Sequence, residues 1–316
     1  MASTISLSFG SSFVTFVNAN GGPAVTNVTK LDPNDNEIVD ANGDLMADAP
    51  VNGHGRAIAG VLNVIAPGAA IQEVRVSDRT GVATDVTATR EMAASLRSLN
   101  RPNWPQLIVN SFGTPGCDVN PAIPGDELVP VGLEAVAEVA DRFDPIQAKG
   151  LLIVASAGNI ATTRRHYPAA FPTVVGVGAL DGTIDGDGSP WSAPARTAPV
   201  AEFSNRGSWV DVWAPGVDLP TTHVRNLRFE TGGDLIMGMA AVDGTSFSAP
   251  LVVGLLAERM STNSVKARVA YNSVVASGVA PLNQCGKPEA VSGVSVTLAS
   301  LESTATSKPI GDPVTC

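Results

Sequence analysis

Several things are scarce in this chain, and each scarcity excludes something. No apolar run approaches the 18 or so residues that a membrane-crossing helix requires, so no membrane partner is expected. There are three cysteines, Cys117, Cys285 and Cys316, too few and too widely spread for a disulfide framework or a zinc knuckle. Their odd number leans towards a reducing compartment. Basic residues are outnumbered: 20 Lys and Arg against 30 Asp and Glu give a net charge of -10 and a pI near 4.7. Nucleic acid is therefore not an expected partner, since phosphate neutralisation needs clustered Lys and Arg. The N-terminal stretch MASTISLSFGSSF has neither the basic n-region nor the apolar h-region of a secretory signal, which argues for a cytoplasmic protein, or a secreted one seen in a trimmed mature form.

What is present is a 316-residue chain with 44% hydrophobic and 16% charged residues, a balance that excludes intrinsic disorder. A chain of this size buries roughly three-quarters of its unfolded surface and holds a core without staples. Its length fits one large α/β domain or two small ones.

Five short, nearly continuous apolar runs recur: Phe13–Val17, Ile71–Val76, Gln106–Val109, Leu151–Ala155 and Val174–Gly178. Such runs mark strands buried on both faces of a parallel sheet. Helical patterns over Gly55–Val64, Thr87–Leu99, Val131–Phe143 and Pro250–Met260 alternate with them. That alternation predicts an α/β fold with a mainly parallel central sheet flanked by helices. Ligands in such sheets bind beyond the carboxyl ends of the strands. Asp32–Asp48 and Asp181–Pro199 read as polar loops. Residues 1–284 read as the folded domain, and from Cys285 to Cys316 the composition shifts to Ser, Thr, Gly and Pro, the mark of a tail or an accessory strand.

The chain has three histidines. His166 and His223 lie in polar surroundings and read as solvated surface residues. His54 differs: glycines flank it, in Asn-Gly-His-Gly-Arg, directly before an apolar helical run. Helix N-terminal dipoles disfavour imidazolium there and favour the neutral base. Ser246, in Asp-Gly-Thr-Ser-Phe-Ser-Ala-Pro, opens another apolar helix, with Pro250 in its first turn. Taken alone, Ser246 reads as an N-cap. Asn159 ends Ala-Ser-Ala-Gly-Asn after a buried strand, where it either caps a turn or donates its amide to a developing oxyanion.

Gly-His-Gly at 53–55, Ser-Ala-Gly-Asn at 156–159 and Gly-Thr-Ser-x-x-x-Pro at 244–250 together resemble, in order and spacing, the subtilisin-like serine proteases (subtilases, peptidase S8). Val109–Gly113, Tyr167–Pro172 and Phe203–Gly207 are similar to further blocks of that family. The resemblance covers roughly residues 10 to 275 and implies the three-layer subtilisin-like fold. It also implies peptide-bond hydrolysis with Ser246 as nucleophile, His54 as general base and Asn159 in the oxyanion hole. Ser111, Phe112 and Gly113 would pair with extended substrate, and Phe112 and the stretch Ala155–Gly158, with Ala157 and Gly158, would line the first specificity pocket. The implied partner is a protein or peptide. No cofactor is required; Ca²⁺ is a possibility in the two acidic loops, although no run matches an EF-hand.

One position departs from the family pattern. The catalytic Asp is expected directly after the first core strand, and there the chain has Asn18. Asparagine neither stabilises the imidazolium nor enforces the right tautomer, and in the best-studied triad this exchange lowers turnover about 10⁴-fold. Three readings stay open: a slow protease or a pseudoprotease that binds peptides, an introduced inactivating substitution, or a loop carboxylate such as Asp44 or Asp48 serving His54 instead. Arg56, two residues beyond His54, is either an exposed first-turn residue or a charge that steers substrate.

Overall fold

The computed structural model describes residues 4–5, 13–18, 45–47, 53–76, 83–98, 105–118, 127–138, 151–181, 199–229, 236–277 and 294–295. Seven strands form the central sheet: β1 (Phe13–Asn18), β2 (Ala70–Arg75), β3 (Leu107–Asn110), β4 (Leu152–Ser156), β5 (Val174–Leu180), β6 (Val212–Pro215) and, late in the chain, the two-residue strand Val294–Ser295. Their spatial order starts with Val294–Ser295 and continues β6, β5, β4, β3, β1, β2. Pairing is parallel from β3 outwards to Val294–Ser295. The exception is β1, which runs antiparallel to both of its neighbours, β2 and β3.

Side chains on a strand alternate between faces, and that alternation builds three layers. Leu107, Val109, Leu152 and Val154 face one helical layer, formed by α1 (His54–Ile65), α3 (Thr245–Asn263) and α4 (Ala267–Ser277). Ile108, Ile153 and Ala155 point the other way, onto α2 (Asp85–Ser98) and the helical residues 131–138. Asp85 ties these last two together: its carboxylate accepts from the amides of Gly132 at 2.8 Å and Leu133 at 2.9 Å. Helix α1 is amphipathic, and Ile58, Val61 and Leu62 on its inner face are fully buried. Each such burial stabilises the fold by about 1.5–3 kcal/mol. Helix α3 is apolar nearly all round and is the central helix of its layer.

Beside this layer lies a smaller sheet. Strands β7 (Leu219–Phe229) and β8 (Ile236–Val242) form an antiparallel pair, and the short strand Leu45–Ala47 adds to β7 in parallel. The Thr221 hydroxyl donates to the Ala57 carbonyl at 2.7 Å and so fastens β7 to α1.

The three-layer α/β fold with a mainly parallel sheet is as the sequence predicts, with several corrections. Helix α3 begins at Thr245, five residues before the expected Pro250, because Gly244 and the tertiary contacts of Thr245 start it. Leu45–Ala47 is a strand inside what reads as a polar loop, since β7 offers it a free edge. His223 falls within β7, and Cys117 within a two-residue strand paired with Glu127–Leu128. Val294–Ser295, inside the Ser/Thr-rich terminal stretch read as a tail or an accessory strand, extends the main sheet beside β6, which is not a correction of that reading. The expected boundary at residues 284 and 285 lies outside the described residues, as do Cys285, Cys316 and residues 32–44 and 182–198. Among the described residues no helix is long and apolar enough to cross a membrane.

Candidate active site

The parallel strands β3 and β4 end side by side, with Asn110 in register with Ala155. The chain leaving β3 carries Ser111, Phe112 and Gly113, and the chain leaving β4 carries Ala157, Gly158 and Asn159. The N-terminus of α3 lies against both exits.

Helix α3 opens on Gly244, whose φ of 139° suits glycine, and a Cβ there would lie 3.2 Å from Asn159 Nδ2. Thr245 is the first helical residue. Its backbone N–H donates to Asn159 Oδ1 at 2.9 Å and its hydroxyl to the same oxygen at 2.8 Å. The Thr245 hydroxyl oxygen in turn accepts from the Gly158 amide at 3.0 Å. With the Asn159 oxygen held twice, amide planarity directs its NH₂ away from Thr245, leaving it as a donor. The Ser246 N–H, second in the helix, belongs to the first-turn amides that lack an intrahelical acceptor.

Ser246 is buried, and its hydroxyl lies 3.4 Å from the Ser111 carbonyl oxygen. Going the other way, Ser111 Oγ donates to the Ser246 carbonyl at 2.8 Å. Pro250 explains this contact. It sits inside the helix, not in its first turn, and has no N–H to give to the carbonyl four residues back, which is that of Ser246. Ser111 supplies the missing donor and thereby ties the exit of β3 to the helix.

His54 is the first residue of α1, after Gly53 in the left-handed region at φ 84°. It is buried, and its ring centroid lies 4.9 Å from that of Phe247, the neighbour of Ser246. Arg56, in the next positions of α1, is exposed, and its guanidinium acts on Glu73, a buried carboxyl of β2. Burial pushes Glu73 up to about 7, with Arg56 pulling the other way.

Thus His54, Ser111, Asn159 and Ser246 come to the ends of α1, β3, β4 and α3. Asn18 ends β1. Because β1 is antiparallel, Asn18 pairs with Ala70, where β2 begins, while Val14 pairs with Asn110, where β3 ends. Apolar periodicity gives a strand's faces, not its direction. The Phe112 ring is buried in the α2 layer. Ala157 is likewise fully buried, beside Leu180 and Trp213.

Two buried side chains near the site were given no role from sequence. Asn205 is fully buried; its amide donates to the Ala157 carbonyl at 2.8 Å, and its oxygen accepts from Ile160 and Thr162 at 3.1 and 3.2 Å. It holds the loop on which Asn159 stands, and its signal was the block Phe203–Gly207. The second is His166, expected at the surface and found buried in the short strand His166–Tyr167, paired with Thr114–Pro115. Burial pushes its imidazole down to about 4, against a backbone hydrogen bond with Gly113 that acts in the opposite sense.

The model of the subtilase family (Peptidase_S8) matches residues 15–277. The chain belongs to the subtilase family. It is 30% identical over 215 residues to the thermophilic serine proteinase of Bacillus sp. (strain AK1), covering 66% of this chain and 42% of that protein. To the subtilisin of Bacillus pumilus it is 31% identical over 202 residues, covering 63% of this chain and 56% of the relative. The chain thus spans less than two thirds of either protein. Among solved structures, a lanthipeptide protease superposes with a TM-score of 0.55 at 20% identity, covering 83% of this chain and 80% of that one. A cold-adapted subtilisin-like serine proteinase gives 0.55 at 19% identity, covering 78% and 74%. These two likenesses bear on the fold.

Among the described residues no group of three His, Cys, Asp or Glu side chains is placed to hold a metal ion. Asp181 opens the second acidic loop. Its carboxyl is pushed up by burial and then by Asp218, Asp243 and Glu202.

Proposed function

We propose that this subtilase acts on protein or peptide substrates through Ser246, with turnover held low by the lack of a carboxylate on β1. Ser246 Oγ attacks the scissile carbonyl and passes its proton to His54, which returns it to the leaving amine; water then releases the acyl group by the reverse sequence. The Asn159 amide and the Ser246 N–H receive the charge that develops on the carbonyl oxygen. The observation that carries this reading is the double anchoring of Asn159 Oδ1 on Thr245, which turns the Asn159 NH₂ free beside the nucleophile's backbone.

The reduced turnover rests on composition. Strand β1 reads Phe-Val-Thr-Phe-Val-Asn and brings no acidic group from either end. The same observation supports a second reading, a peptide-binding pseudoprotease whose groove outlives its chemistry. Treatment with a fluorophosphonate, followed by peptide mapping, tests the first. Slow labelling confined to Ser246 and absent in Ser246→Ala is expected. An unlabelled Ser246 in a folded protein would leave only the pseudoprotease.

A further inference from the structure

Helix α1 and strand β2 are consecutive, and the turn between them sends the chain back along itself. The Ala66 amide closes the helix on the Leu62 carbonyl at 2.8 Å, and the Ala69 amide bonds to the Ala66 carbonyl at 3.0 Å. From Ala70 the strand retraces the helix it has just left, and the two elements are in contact. Glu73 stands roughly 10 Å along β2 from Ala70. That length corresponds to about seven residues of helix, which brings Glu73 back to the N-terminal half of α1.

The two faces of β2 decide where its carboxyl goes. Val74 is buried in the α2 layer, whereas Ile71 lies in the core that α1 shares. Glu73 is two positions from Ile71 and so faces α1. It is buried there, and the guanidinium of Arg56, in the first turn of α1, acts on it. The same turn begins with the buried His54 and has no acidic residue of its own. On β1 the residue opposite Glu73 is the uncharged Thr15, and on β2 itself Arg75 shares its face. Among the described residues the charges around Glu73 on α1, β1 and β2 are therefore cationic or, at His54, able to become so. Burial makes the carboxylate costly to the fold above about pH 7, and groups kept at such a cost gather at functional sites.

We propose that Glu73 is a positioning residue for the base: coming from β2 and coupled to Arg56, its carboxylate is the acidic charge that the start of α1 receives in place of one on β1, and it favours the protonated His54 ring. The proton of Ser246 passes to His54 and from there to the leaving amine, and Glu73 neither gains nor loses one in that step. Its proton leaves instead as the pH rises, so that the support it gives is present only above about pH 7.

The inference rests on the proposed function, and the test separates the two. The His54 imidazole is titrated by NMR, which needs no turnover, and fluorophosphonate labelling of Ser246 is timed at pH 5 and pH 8.5. In Glu73→Gln the His54 midpoint should fall by about half a unit or more. The labelling rate should fall about 10-fold at pH 8.5 and stay within about twofold of the parent at pH 5, where Glu73 is already neutral. Glu73→Asp should recover part of the loss, with circular dichroism confirming that each variant folds. A folded Glu73→Gln with the His54 midpoint of the parent would overturn the inference, whatever its rate. So would an equal loss of rate at the two pH values, which marks a packing role. A shifted midpoint without labelling of Ser246 in any form would sink the protease reading and leave the coupling of Glu73 to His54 standing.

Discussion

Two helix N-termini face each other across this site, and they are built differently. The start of α3 is a hydrogen-bonded knot: Thr245 grips Asn159 through two bonds and Gly158 through a third, and Ser111 takes the Ser246 carbonyl that Pro250 leaves open. The start of α1 packs the His54 ring against Phe247, with Ile58, Val61 and Leu62 buried beneath and the Thr221 hydroxyl on the Ala57 carbonyl. The strongly perturbed charge near it is Glu73, two strand positions from the core residue Ile71. Directed bonds fix an amide to within tenths of an ångström, as oxyanion stabilisation demands. In the proposed function the start of α3 supplies the nucleophile and oxyanion donors and the start of α1 the base, while β1 carries no acidic residue.

The sharpest way to separate the halves by stability is pH. Glu73 has a folded value near 7 against an ordinary 4.5, so the folded chain binds its proton more tightly than the unfolded chain does. The associated stability is fully present below pH 4.5 and is lost as the pH rises to about 7, on the order of 3 kcal/mol in all. Urea unfolding should find Glu73→Gln close to the parent at pH 4.5 and more stable than it at pH 8. Equal differences at the two pH values would show that the carboxyl beneath α1 does not titrate in this way.

A smaller effect is expected from Thr245→Val, which removes the hydroxyl from Asn159 and Gly158 but keeps the backbone bond. The rate of Ser246 labelling should fall about 10-fold, the equivalent of one to two neutral hydrogen bonds, with the melting temperature shifting by only a few degrees. No change in rate would mean that Asn159 is not held from Thr245. The smallest effect distinguishes register from resemblance. With Asn18 opposite Ala70, Asn18→Asp should change the labelling rate by less than about threefold. A gain approaching 10⁴-fold would mean that β1 delivers residue 18 to His54 after all.

Much of this was legible in the sequence. Continuous apolar runs gave β1 to β5 to within a residue or two at most ends, because strands buried on both faces leave no other pattern. His54, Asn159 and Ser246 were legible because each stands where an element begins or ends, next to glycines that the turn requires. Long-range pairing was not legible. His166 follows Arg164 and Arg165 and reads as surface, and its burial comes from Thr114 and Pro115, some 50 positions away. Ser111 has a partner, the Ser246 carbonyl, that exists only because α3 starts earlier than its apolar pattern suggests. The direction of β1 was beyond reach for the same reason: alternating burial reads the same both ways, and the neighbours that set direction are residues 70–75 and 107–110.

The most direct measurement is the second-order rate of Ser246 phosphonylation in the parent chain and in Asn159→Ala. If the α3 half is preorganised and working, the parent labels slowly and only at Ser246, and Asn159→Ala is slower by a further factor of about 10²–10³. Equal rates in the two proteins would contradict it, because an amide positioned by Thr245 would then contribute nothing to the chemistry it faces.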